Sequence, residues 1–287
     1  MNSKGFRKRM IKDRLATVAA VACVIAALVP LVSILMDVLV KGLPQFSFEF
    51  LTGTIPPPGS DEVGGIGPAI VGTLAAIGIG SLIGIPIGIV SGIFVSEYGD
   101  NLFGGIVRFS MDVLAGFPSI IIGIFAYLVL VVSLGGPNAF AGGLALSIIM
   151  MPVVARTTEE ALRLVPSSLR EASLSLGVSR STTIRKVVLS NGRPGIITGI
   201  MLSIARITGE SAPLLLTVGW TVFYPTTLSQ PMASMPVLIY QFAISPFENW
   251  HDLAWGASAF LILLVLGLNV TVRMIAHGGR HLFKRRH

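Results

Sequence analysis

Residues 195–218, GIITGIMLSIARITGESAPLLLTV, are apolar enough for a membrane-spanning helix, yet Arg206 and Glu210 sit in their middle. At 1.5 Å per residue the stretch reaches about 36 Å, which exceeds a hydrocarbon core of about 30 Å. It is therefore expected to span as one helix. A cation at the centre of such a helix costs about 2.5–3.5 kcal/mol on the insertion scale, so both side chains need partners or water. One turn apart they share a face and can pair, although Arg ahead of Glu is the weaker order. Neither is expected to face lipid.

The rest of the chain is of the same kind. Of its 287 residues 53% are hydrophobic and only 12% charged, outside the range of soluble domains and typical of an integral membrane protein. The lone cysteine, Cys23, lies in an apolar run and excludes an intrachain disulfide. A net charge of +7 would suggest nucleic acid in a soluble protein, but here its distribution explains it. Six Lys or Arg lie in residues 4–14, Arg108 stands alone, seven lie in 156–193 and five lie from Arg273 onward. With six spans and both termini cytoplasmic, all of these fall on one side, as the positive-inside rule requires. No nucleic-acid partner is expected.

This organisation divides the chain into a basic cytoplasmic N-terminus at 1–14, a first transmembrane helix at 15–40 and an external loop at 41–66. A membrane body follows at 67–275, then a basic tail at 276–287. The apolar run at 15–40 is too long for a signal-peptide core and is read as retained, with Pro30 a point where it can bend. In the second span, about 67–95, Gly80, Gly84, Gly88 and Gly92 continue a spacing of four that starts at Gly72. Small residues so spaced form one face on which another helix can approach closely. No strand precedes them, so a nucleotide-binding turn is a poor reading.

Residues 102–114 are expected to begin as an interfacial helix before a third span that ends near Leu134, with Asp112 reaching water or Arg108. The fourth span is short over 144–154 unless it extends toward Phe140 and Arg156. Residues 219–252 contain Trp220, Trp250 and several prolines but no Lys or Arg, as an external segment should, with Met235–Ala243 helical against the membrane surface. The sixth span covers about 253–275. His277 and His281 lie among cations and read as a solvated tail rather than a metal pair.

The longest cytoplasmic segment, 156–193, has a local design. Ser168 and Glu171 fit a capping box, Leu169, Ala172 and Leu176 share a face, and Gly177 can end the helix in the left-handed conformation. Ser179 then caps a second helix. Physics alone leaves two uses for such a helix, insertion into a groove on another protein or contact with anionic lipid.

Glu171-Ala172-Ser173, Gly177, Val187 and Leu189 resemble the EAA loop of ABC-importer permeases, with Ser173, Val187 and Ser190 standing where that pattern has Ala, Ile and Pro. GGIGPAIVGTL at 64–74, DVLAGFPSIIIGIFAY at 112–127, MPVVARTTEEALRLVP at 151–166 and IARITGESAPLLLT at 204–217 are similar to the PstA family of phosphate permease subunits. The resemblance implies an all-α membrane protein of the six-helix, MetI-like type I importer fold. It implies that Glu171, Ala172, Leu176 and Gly177 couple to the ATPase.

The partners it implies are a second, PstC-like permease subunit, two PstB-like ATPase subunits, an external PstS-like phosphate-binding protein and the lipid of a prokaryotic cell membrane. No cofactor is expected in this chain; ATP and Mg belong to the ATPase. In agreement, the sequence has no GxxxxGK[ST] and no recognisable catalytic or metal-ligand set.

Arg206 carries the chemistry. A guanidinium keeps its charge when buried and offers a fork of donors that fits phosphate oxygens. Glu210 would hold it when no substrate is present. The competing reading is a permanent pair that only positions helices. Another oxyanion such as molybdate or sulfate would suit the same pair, and an ion-coupled secondary transporter is a further class, which the EAA-like loop disfavours.

Overall fold

The computed structural model describes the backbone of residues 3–60 and 64–283, and the side chains of 10–60 and 64–274. Within these residues the architecture is all-helical. The basic residues before Met10 and the tail from Ala276, with His277 and His281, have side chains outside the described set.

The order is α1 (Ser3–Gly42), α2 (Phe48–Thr52), α3 (Gly67–Tyr98), α4 (Leu102–Gly116), α5 (Ser119–Ala126) and α6 (Ala139–Arg163). Then come α7 (Ser167–Ser175), α8 (Arg180–Thr183), α9 (Leu189–Thr208), α10 (Ala212–Thr217), α11 (Met235–Ala243) and α12 (Glu248–Phe283). Five helical stretches are long and apolar enough to cross a membrane, and α4 with α5, bent by 102°, supplies a sixth if counted as one broken span. Pro118 stands at that bend, where a missing N–H and a fixed φ break the ladder. Pro30, by contrast, lies inside α1 without ending it.

The centre is the pair α3 and α6. Along α3, Gly80, Gly84, Gly88 and Gly92 face α6, whose Leu146, Met150 and Val154 are fully buried, while Gly72 faces Met232 and Ala233. A Cβ on Gly80 would lie 3.1 Å from the Gly143 carbonyl oxygen, and one on Gly88 would lie 2.7 Å from the Val154 Cβ. Lipid is as apolar as these side chains, so such a contact gains from dispersion and close approach rather than from expulsion of water. On its other side α6 receives α9, where a Cβ on Gly195 would lie 2.5 Å from that of Ala161. The helix that contains the expected fourth span, α6, extends beyond 144–154 at both ends. α1 packs against α12, closely at Gly42, and its apolar window is exposed.

α11, helical as expected, is not a free-standing surface helix: Met235, Leu238 and Phe242 are fully buried in the protein, and Phe242 stacks on Trp250 with centroids 4.4 Å apart. The segment before it can enter because its backbone finds partners. Met232 N–H donates to the Val218 carbonyl at 3.0 Å and Met235 N–H to the Thr73 hydroxyl at 2.8 Å.

The stretch 195–218 is not one continuous helix either. α9 stops at Thr208 and α10 starts at Ala212. Pro213 has no N–H to donate to the carbonyl four residues back, and Gly209 is the C-cap of α9.

Candidate functional site

The break after α9 decides the surroundings of Arg206. The residue lies in the last helical turn rather than at mid-helix, where the partial negative charge of a helix C-terminus favours a cation. Glu210 lies beyond the helix, in a turn where its N–H donates to the Ile207 carbonyl at 3.3 Å. The Arg206 Nε and a Glu210 carboxylate oxygen are 3.7 Å apart, an ion pair too long for a strong hydrogen bond. The Glu210 side chain is 17% exposed, while that of Arg206 is 47% exposed, so its donors remain open to another group. Pro194, Thr198, Leu202 and Arg206 line the exposed face of α9, opposite the buried Gly199, Ser203 and Ile207. Next to the break, Ile120, Ser211, Ala212, Leu215, Val237 and Tyr240 border a cavity of about 220 Å³.

The loop between α6 and α9 is the second place of interest. α7 begins directly after Pro166, which takes the N-cap position, so Ser168 lies within the first turn and makes no cap; the capping box is corrected. Proline supplies the fixed φ that starts the turn. Glu171 and Ala172 are exposed, as are Leu169, Leu174 and Leu176. Gly177 has φ +77°, its N–H donates to the Leu174 carbonyl at 2.9 Å, and the Val178 N–H donates to that of Ser173 at 3.3 Å. This double closure is a Schellman motif, which needs glycine at the left-handed position. Ser179 is the N-cap residue of α8, with its hydroxyl turned to that of Thr182 at 2.9 Å. Ser173 is the buried member of the Glu-Ala-Ser triplet, 2.9 Å from the Thr183 hydroxyl.

Several charges meet that helical spacing could not bring together. Arg108 pairs with Glu159 at 3.1 Å and Asp112 with Arg156 at 2.6 Å, so the expected contact of Asp112 with Arg108 is replaced by two bridges from α4 to α6. Within α6, where helical spacing does bring them together, Arg163 adds a second cation to Glu159 at 2.8 Å. Arg170 on α7 reaches Glu97 at the end of α3, also at 2.8 Å. The only hint in the sequence is that Glu97 is an acid at the end of a long apolar run; its partner lies 73 positions away.

The family described as "binding-protein-dependent transport system inner membrane component" matches residues 84–278. Among curated relatives, the phosphate transport system permease protein PstA of Pasteurella multocida is 42% identical, over 96% of this chain and 98% of that protein. The PstA of Yersinia pestis is 40% identical over 95% and 92%, and the probable PstA of Methanocaldococcus jannaschii 37% over 92% and 94%. Among solved structures, a chain of the inward-facing MetNI methionine ABC transporter superposes with a TM-score of 0.62 at 19% identity, covering 73% of this chain and 94% of that one. A chain of a bacterial ABC transporter that imports the acidic polysaccharide alginate gives 0.66 at 16% identity, covering 95% and 98%. At these identities the structures show the fold alone, that of an ABC-importer permease. Taken with the near full-length relatives, this means that the chain is a multi-pass membrane protein of the binding-protein-dependent transport family and belongs to its PstA permeases.

Proposed function

We infer that the chain is the PstA-type permease subunit of an ATP-driven phosphate importer in a prokaryotic cell membrane, with both termini cytoplasmic. The observation that carries this reading is the identity of 42% to a phosphate transport permease over nearly the whole of both chains. The chain itself is non-catalytic, and ATP and Mg are bound by the ATPase. It works with a second, PstC-like permease, two PstB-like ATPase subunits and a PstS-like phosphate-binding protein.

In this reading Arg206 is an oxyanion contact on the translocation path. Its half-exposed guanidinium presents donors that a phosphate can take two at a time. Glu210 competes for the same charge, which keeps the site from holding phosphate too tightly for release. The exposed face of α7, with Glu171, Ala172, Leu176 and Gly177, docks on the ATPase. α8 runs through a π-helical turn at Ile184–Val188 into α9 as one stretch, Arg180–Thr208, so the docking loop and Arg206 are joined by a single helix. Gly80, Gly84, Gly88 and Gly92 hold α3 on α6 beside it.

Reconstitution of the complex in vesicles with ATP inside and binding protein outside tests the function. Radiolabelled phosphate is expected to accumulate, and tenfold excess sulfate or molybdate to leave its uptake unchanged. Preferential uptake of either competitor, or uptake driven by an ion gradient without ATP, would overturn the reading.

A further inference from the structure

Both arms of the α6–α9 loop are fastened to the same short piece of chain, the end of α3. Glu97 closes that helix with a side chain only 7% exposed, the most buried carboxylate among the described ion pairs. From α7, before the Gly177 turn, Arg170 donates through Nη2 to the Glu97 carboxylate at 2.8 Å. Its guanidinium also donates to the Leu162 and Val165 carbonyls at 2.8 and 2.5 Å, at and just past the end of α6. Beyond the turn, Arg180 donates to the Glu97 backbone carbonyl and lies over the Tyr98 ring at 4.4 Å. The buried Ser173–Thr183 contact joins the two arms to each other.

We propose that Glu97, Arg170 and Arg180 are positioning residues that bind the loop, the end of α3 and the end of α6 into one rigid block. A displacement of α7 then moves the α3–α6 pair as a unit instead of being absorbed by bending of the loop. The proposal rests on the reading that α7 docks on the ATPase. The geometry suits it: the arginine fork is used on three acceptors from two helices, and an ion pair with little exposure is weakly screened. None of these contacts uses Glu171, Leu176 or Gly177, so docking and fastening fall on separate side chains.

The test uses the complete transporter, with Glu97→Gln in this chain. The ATPase is expected to co-purify at the unmodified yield, while phosphate transported per ATP hydrolysed falls at least tenfold. A second variant, Glu97→Cys with Arg170→Cys, is expected to show the same loss and to recover when a short bifunctional thiol reagent bridges the pair. Unchanged coupling in Glu97→Gln, loss of the ATPase from it, or bridging without recovery would each overturn the proposal. The docking reading fails separately, if Glu171→Lys retains the ATPase.

Discussion

Arg180 and Arg206 stand at the two ends of one helical stretch, Arg180–Thr208, about 39 Å apart along its axis. Arg180 fastens to the end of α3, and Arg206 faces outward beside the break before α10. A π-helical turn at Ile184–Val188 interrupts the stretch just after Arg180. Such turns are frequent at functional positions. The loop before Arg180 and the Arg206 side chain are thus joined through one element, which also contains Pro194.

For Arg206, the substitution to Gln is expected to leave the complex assembled and its ATPase measurable while phosphate uptake is abolished. Arg206→Lys keeps the charge but not the planar fork, and is expected to retain less than about a tenth of the uptake. Initial uptake rates in reconstituted vesicles, normalised to the amount of complex, check both. Normal uptake in the Gln variant would leave the residue a purely structural pair with Glu210.

At Gly88 a Cβ would sit 2.7 Å from the Val154 Cβ, so Gly88→Val forces α3 and α6 apart and is expected to cost about 1–3 kcal/mol. Gly78 has open space around its Cβ position. Gly78→Ala is expected to leave the fold intact and to stabilise it by up to about 1 kcal/mol. Thermal unfolding in detergent separates the two, and equal melting temperatures would argue against close packing along this face.

Ser173→Ala restores the alanine of the importer pattern but strips a buried hydroxyl of its partner, at a cost of about 1–3 kcal/mol. Adding Thr183→Val removes the orphaned group, so the double variant is expected to recover most of that loss. A thermal-unfolding cycle over the four proteins measures the coupling. Additive effects would show that the two hydroxyls do not depend on each other.

How much was legible follows from what each signal measures. Hydropathy over a window reports whether a segment can cross a membrane, so the helical fold and most candidate crossings were readable from the chain alone, while the third depends on counting the bent pair α4 and α5 as one span and the fifth runs over Arg180–Thr208 instead of 195–218. Turns set by their own residues were readable as well. Gly177 adopts the left-handed conformation because the preceding helix must close there, and no distant group is needed. By contrast, 195–218 is apolar on both sides of Gly209, and hydropathy has the same value whether the chain continues straight or turns. The capping box at Ser168 failed because Pro166 starts the helix earlier than the Ser-to-Glu spacing implied.

By itself, then, the sequence determined that this chain lives in a bilayer, which helix carries a face of small residues and where the loop turns back. These depend on transfer energy and local backbone preference, which are properties of neighbouring residues. Only the tertiary structure decided that Arg206 closes a helix, that α11 is buried, that Arg108 answers Glu159 and that Arg170 answers Glu97. Ion pairs and burial depend on which distant helices lie within a few ångströms of one another, and no periodicity along one strand of sequence carries that information.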